Sequence, residues 1–159
     1  MQSKQIKTLD RTDRNILREL QQDARVSNVE LARRVGLSAT PCHERVKRLE
    51  RDGYIRGYQA DLDPFKLGST LLVFVEITLN REAPDLFEKF NRAVMSLDVL
   101  QECHLVSGDF DYLLKARVTD MSEYRRLMSD TLLKLPGVSD SRTYVVMEEV
   151  KQRPAVLIT

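Results

Sequence analysis

"SNVELARRVGLSATPCHERVKRLERDG", residues 27–53, decides how the front of this chain folds. Ser27 and Glu30 stand in the S-x-x-E spacing of a capping box, with Leu31, Ala32 and Val35 on one helical face behind them. Gly36 ends that short helix, because the residue after a helix end often takes a left-handed conformation that glycine reaches without a Cβ penalty. Leu37 and Ser38 complete a tight turn, and another helix follows from about Thr40 to Gly53. Pro41 is tolerated there, since a first helical turn has no intrahelical N–H bond to lose. Upstream, Asp10 reads as an N-cap with Asp13 at the acidic third position, ahead of Ile16, Leu17 and Leu20 at helical spacing. The sum is a helix-turn-helix braced by a leading helix.

The third helix divides cleanly at 100° per residue. Cys42, Val46 and Leu49 fall on one side and should pack inward. Thr40, Glu44, Lys47, Arg48 and Arg51 lie opposite, with His43 and Arg45 on the flanks. A basic exposed face on the second helix of this motif is what docking into a DNA major groove requires. The bland alternative is a solvated charged face; the preponderance of Arg and Lys and the short turn count against it. Base reading is expected from Thr40, His43, Glu44 and Lys47, with Ser38 and Pro41 at the helix start and Asn28 before the turn as further DNA contacts. Arg48 and Arg51 are expected on phosphates, which position a protein without specifying a sequence. "GYIRGYQADLDP", 53–64, alternates like a strand and closes at Asp63-Pro64. It reads as a wing strand and linker over 54–68, in which Arg56 either touches the DNA backbone or belongs to a hinge.

Charge separates this front from the rest. Residues 1–60 hold 13 Lys/Arg against 8 Asp/Glu, while residues 61–159 hold 12 against 16, so the net charge of +1 conceals a basic front and an acidic back. The front suits a polyanionic partner. With 159 residues, 42% of them hydrophobic and 31% charged, the chain can bury a real core and is expected to be globular. Its longest purely apolar stretch, Leu71 to Val75, is too short to cross a bilayer, and no membrane partner is expected. No charged and then apolar run opens residue 1 onward, so no signal peptide is expected. Two cysteines make no disulfide framework, which fits a reducing cytoplasm.

The acidic part alternates strands and helices. Strands are predicted over 70–79, 99–106, 111–118 and 141–150, and helices over 83–97 and from a Ser122 cap to Leu135, where Pro136-Gly137 stops it. The order βαββαβ is the ferredoxin-like pattern, making the whole chain α+β. Domains are expected as a flexible tail over 1–8, a helix-turn-helix over 9–53, the wing strand and linker over 54–68, and a ferredoxin-like effector and assembly domain over 69–159. Two helices cover one face of such a sheet, yet Leu72, Phe74, Tyr144 and Val146 suggest that the other face is apolar as well. A second copy of the chain is the economical cover, and a two-fold dimer then presents two DNA-binding heads.

"VSGDFDY", residues 106–112, joins two of these strands. Asp109 and Asp111 are not expected to be catalytic, because no partnering base, phosphate loop or nucleophile elbow accompanies them. The dipeptides Cys42-His43 and Cys103-His104 are poor chelates, since neighbours diverge on a strand or helix, and no metal, cofactor or catalytic residue is expected. Ser-Gly-Asp is ordinary turn chemistry. A site for a zwitterionic amino acid would use the same residues, with N–H groups for the carboxylate, an acid for the ammonium and apolar neighbours for a side chain. On spacing alone these two readings stand level.

A resemblance separates them. "LDRTDRNILRELQQDARVSNVELARRVGLSATPCHERVKRLERDGYIRGYQADLDP", then "LLVFVEITL", "ECHLVSGDFDYLLKARV", "LLKLPGV" and "RTYVVMEEVK", in one order over nearly all of residues 9–151, resemble the Lrp/AsnC family of regulators. The resemblance implies an N-terminal winged helix-turn-helix and a C-terminal ferredoxin-like effector (RAM) domain. It implies homodimers that assemble into octamers or larger bodies on double-stranded DNA, activating or repressing transcription, in a cytoplasmic, nucleoid-associated setting. It also implies an amino-acid effector such as leucine or alanine, held by Leu105, Val106, Ser107, Gly108, Asp109, Asp111 and Tyr112, with Met121 and the strand residues Tyr144, Val145 and Val146 nearby. One departure stands out: His43 occupies a position where the family pattern resembles "TPCLERV", with Leu, so a different base preference is expected. An architectural DNA binder whose second domain serves assembly alone is the competing reading.

Overall fold

A computed structural model describes residues 9–80, 84–152 and 155–159. The tail expected over 1–8 lies outside them, as does residue 83, where the spacing starts a helix. The chain forms two compact units, one reaching Asp61 and including the stretch from Gln152, the other Leu62–Lys151.

The first unit is built on three helices, α1 (Arg11–Gln22), α2 (Asn28–Arg34) and α3 (Ala39–Arg51). Asp10 and Asp13 make a complete capping box: Asp10 Oδ1 accepts from Asp13 N–H at 2.7 Å, and Asp13 Oδ2 accepts from Asp10 N–H at 3.3 Å. At α2 only half the expected box forms. Ser27 Oγ accepts from Glu30 N–H at 3.2 Å, but the Glu30 carboxylate turns to Arg33 and Arg34 instead, two stronger cationic donors. The end of α2 is a Schellman motif, with Leu37 N–H on Ala32 O at 2.8 Å and Gly36 N–H on Arg33 O at 3.4 Å. Gly36 has φ +71°, the left-handed region that the turn into α3 requires. Ile16, Leu31, Ala32, Cys42 and Leu49 are buried at the centre, and Val46 packs against them. Ile16, Leu31 and Leu49 each contribute about 1.5–3 kcal/mol on burial, and the smaller Ala32 less.

No wing strand forms. Residues 55–63 join no ladder, because this stretch meets no second strand to take its N–H and C=O groups, and a lone strand has nothing to stabilise it. Instead Tyr54 and Ile55 N–H groups fold back on Leu49 O at 2.9 and 3.2 Å, and the Tyr58 hydroxyl donates to Glu50 Oε1 at 2.8 Å. The C-terminal residues differ from expectation too. Val156 and Ile158 hydrogen-bond to α1 rather than extending the second domain to residue 159.

The second unit is the predicted βαββαβ: β1 (Leu71–Leu79), α4 (Leu86–Val94), β2 (Leu100–Leu105), β3 (Tyr112–Val118), α5 (Met121–Asp130), a 3-10 turn (Leu132–Lys134) and β4 (Val138–Val145). The sheet is antiparallel throughout in the order β2-β3-β1-β4. Alternation sends Val73, Val75, Ile77 and Leu79 toward Phe90, Tyr124 and Leu127, forming the core. Asp120, not Ser122, caps α5, accepting from Ser122 and Glu123 N–H at 2.7 and 2.9 Å. The last strand starts and stops earlier than predicted, since the Pro136-Gly137 turn delivers the chain at once to β1 and the ladder fails beyond Val146 N–H on Leu72 O, 2.9 Å. The sheet face away from the helices is mixed rather than apolar. Leu72 is buried and Phe74 half-buried there, but Glu102 bonds Lys115 and His104, and Glu149 clamps Arg117.

Candidate functional site

The outward face of α3 carries Thr40, Pro41, His43, Glu44, Lys47 and Arg51, all exposed, with Ser38 exposed at the N-cap position and making no side-chain cap bond. Cys42 and Leu49 are buried beneath them, as the angular reading requires. Arg56 is exposed beyond the helix.

Three nominated DNA contacts have structural partners, of which Arg51 reaches only its neighbour Asp52, at 3.5 Å. Asn28 Nδ2 donates to Ala39 O at 2.8 Å, pinning the start of α2 to the start of α3. Arg48 pairs with Asp13 Oδ1, a carboxylate whose side chain is 3% exposed. Arg45 joins it, reaching both Asp10 and Asp13. The capping carboxylates of α1 therefore also anchor α3, and they leave Lys47 and Arg51 as the outward cations of the face. Asp10 is held below the usual carboxylate range, first by the Asp13 N–H and then by Arg45.

The β2–β3 turn spans residues 106–111, closed by Val106 N–H on Asp111 O at 3.0 Å. Gly108 has φ +152°, which disfavours any side chain although nothing lies within 4 Å of where a Cβ would stand. Ser107, Gly108 and Asp109 are exposed. Asp111 and Tyr112 face inward. Asp111 is 3% exposed; its Oδ2 accepts from Leu79 N–H at 2.8 Å, beside the irregularity in β1–β4 pairing, and its own N–H donates to Ile77 O. Tyr112 stacks on Phe90, ring centroids 4.4 Å apart, and its hydroxyl donates to Asn91 Oδ1 at 2.8 Å. Burial pushes its phenol pKa up. Both side chains are committed to the fold.

Register separates the remaining nominated residues into two groups. Tyr112 pairs with Ile77, so the turn stands beyond that end of the sheet. Tyr144 pairs with Phe74 and Val145 with Val73, about midway along the sheet, while Val118 pairs with Leu71 at the opposite end and Met121 follows. At 3.3 Å per residue the two ends of β3 are about 20 Å apart. One chain does not bring the turn together with Met121, whereas Tyr144 bonds Arg142, whose side chain stands beside the turn.

Residues missed in the sequence line a small hollow of about 90 Å³ beside the turn. Glu76, Thr78, Asp140, Ser141 and Arg142 meet Asp109 and Phe110 there. Glu76 opposes Arg142 across β1 and β4, a juxtaposition set by strand register and invisible in the linear chain. Among the described residues no three His, Cys, Asp or Glu group as a metal site, and no helix is long and apolar enough to cross a membrane.

A helix-turn-helix with an exposed basic face, joined to a ferredoxin-like sheet, defines a class of DNA-binding regulators with a ligand-binding domain. Residues 72–156 match the Lrp/AsnC ligand binding domain and residues 9–56 a winged helix-turn-helix DNA-binding domain. The chain is 70% identical over 152 residues to the leucine-responsive regulatory protein of Escherichia coli K12, covering 96% of this chain and 93% of that one. Its fold matches a transcriptional regulator from Neisseria meningitidis solved in complex with L-Met, at TM-score 0.90 and 39% identity over 94% of this chain and 97% of the other. An AsnC family regulator from Agrobacterium tumefaciens matches at TM-score 0.89 and 35% identity, over 94% and 97%. The chain belongs to the Lrp/AsnC family, whose members are DNA-binding transcriptional regulators rather than enzymes.

Proposed function

We propose that this regulator reads DNA with the exposed α3 face and senses an amino acid at a site assembled from two chains. The observation that carries the reading is the separation of the turn from Met121, which stand at opposite ends of β3. Two half-sites at opposite ends complete each other when chains meet, and a symmetric assembly supplies that meeting. The hollow at the turn offers the charges a zwitterion needs, with Glu76, Asp109 and Asp140 for an ammonium and Arg142 for a carboxylate. Leucine, alanine or a similar amino acid is the effector class, and the Neisseria relative is itself a complex with L-Met.

The head spans 9–53, with base contacts from Thr40, His43, Glu44 and Lys47, phosphate contacts from Arg51 and Arg56, and Ser38 and Pro41 at the groove edge. Arg48 and Asn28 serve chiefly to hold this surface in place. Homodimers form through the open sheet face and assemble to octamers or beyond, in the cytoplasm on the nucleoid. Support for a covered face comes from Arg117 Nη1, a buried nitrogen with no acceptor among the described residues; a buried unsatisfied donor is costly, and a second copy supplies an acceptor. Calorimetry against all twenty amino acids, with light scattering to follow size, tests the sensor. Binding below millimolar concentration with a change in assembly is expected; neither, and the chain is an architectural DNA binder.

A further inference from the structure

The chain holds two histidines, and one of them, His43, stands exposed on the outward face of α3. Its neighbour Cys42 is fully buried, so the helix period turns His43 away from the core. Lys47 follows four residues on, one turn further along the same exposed face. The helix beneath them is fastened at its start by Asn28 on Ala39 O, and along its length by Arg45 and Arg48 on Asp13.

The charges around this pair are already spent. On the side of α1, Asp10 and Asp13 hold Arg45 and Arg48, and Glu19 holds Arg34. On α2, Glu30 holds Arg33 and Arg34. The other charged groups of those two helices are Arg11, Arg14, Arg18, Arg33 and Arg34, all cations. On α3 itself Glu50 accepts from Tyr58, and Glu44, next to His43 in sequence, is set about 100° round the helix. Among the described residues no carboxylate bonds His43 or Lys47. A charged His43 ring thus has no counter-charge in the free head, and the groove of a polyanion supplies one.

Hydrogen-bond capacity then selects a base. Lys47 offers donors only, and so does an imidazolium, whereas a neutral imidazole offers one donor and one acceptor. In the major groove guanine presents two acceptors, N7 and O6, while adenine sets an N6 donor beside its N7. Two groups that only donate, one turn apart, match guanine and are repelled by the amino groups of adenine and cytosine. The neutral ring matches adenine as well.

We propose that His43 reads a guanine edge as an imidazolium beside Lys47, so that DNA binding takes up a proton and the preference for guanine sharpens as pH falls; this rests on the reading of DNA by α3 above. Histidine is the side chain whose charge changes between about pH 5 and 8, so the linkage falls in the physiological range. One linked proton changes affinity by at most about tenfold per pH unit.

The test uses the full chain as wild type, His43→Gln, Lys47→Ala and Arg51→Ala, each checked for fold by circular dichroism at pH 6 and pH 8. A duplex is selected from a random pool by the wild type at pH 6, and affinities are measured on it at constant salt. Wild-type affinity is expected to fall at least about fivefold from pH 6 to pH 8, and that of His43→Gln, which does not titrate there, less than about twofold. Replacing guanines singly by 7-deazaguanine removes the N7 acceptor; at one position the wild type should lose about fivefold or more at pH 6, with a smaller loss at pH 8 and in His43→Gln. Equal pH dependence in wild type and His43→Gln, or no guanine whose replacement matters, overturns the proposal while leaving α3 as the DNA surface. Wild-type affinity in both Lys47→Ala and Arg51→Ala overturns the α3 reading itself, and the proposal with it.

Discussion

Asp111 and Tyr112 show how one short sequence divides its labour residue by residue. Asp111 supplies the acceptor for a strand N–H that has lost its ladder partner, so removing the carboxylate leaves a buried donor unsatisfied. Asp111→Ala is expected to cost about 1–3 kcal/mol in denaturant unfolding, and Asp111→Asn, which keeps an oxygen acceptor, distinctly less. Equal losses in the two variants would show that charge, not the hydrogen bond, matters there. Ser107→Ala and Asp109→Ala, on exposed positions, should leave stability within about 0.5 kcal/mol while altering amino-acid binding. The same separation applies on α3. Lys47→Ala should weaken DNA binding and relax sequence selectivity at the base it reads, whereas Arg51→Ala should weaken binding to all sequences and flatten its dependence on the logarithm of salt by about one unit, as loss of one phosphate contact does. Arg48→Ala should lower the stability of the head as well, since it removes one of the two arginines that pair with the buried Asp13 carboxylate, and Arg45→Ala/Arg48→Ala should lower it further.

At the scale of elements, α2 makes a pH prediction. Hydrogen bonds from Arg33 and then Arg34 depress the Glu30 pKa to about 2. A depressed folded-state pKa contributes stability above the unfolded carboxylate value, near 4.5, and that contribution fades as pH falls toward 2. The head should therefore lose stability across that window, and Glu30→Gln should remove part of the slope in acid titrations followed by circular dichroism. An unchanged slope would assign the acid sensitivity of the head to other carboxylates, Asp10 among them, which is also held below its ordinary range, first by the Asp13 N–H at the start of α1. Element boundaries were legible where a local signal exists. Asp10 and Ser27 begin their helices, and Gly36 ends α2, because caps act within a turn of chain. The wing strand and the late end of the last strand were misread because alternation describes a strand's faces but not whether a partner edge lies alongside.

For the whole molecule, a site shared between chains makes a distinctive forecast. Asp109→Ala and Met121→Ala damage opposite halves of it, so each alone should bind amino acid poorly. Subunits of the two variants, mixed by unfolding and refolding together, should regain roughly a quarter of the wild-type sites by random pairing. No recovery on mixing, with assembly intact, would mean that each site lies within one chain.

The sequence alone determined the helix-turn-helix, the βαββαβ order, the inward faces of α3 and β1 and the family, because caps, glycine stops and hydrophobic periods are local and repeat along the chain. Only the tertiary structure decided that Arg48 and Asn28 are fastened to other elements, that Asp111 and Tyr112 are spent on the core, and that the turn and Met121 stand at opposite ends of β3. It also turned the last residues back onto α1. These are matters of register and of which distant backbone group needs a partner, and such partners are chosen in three dimensions by packing and hydrogen-bond satisfaction.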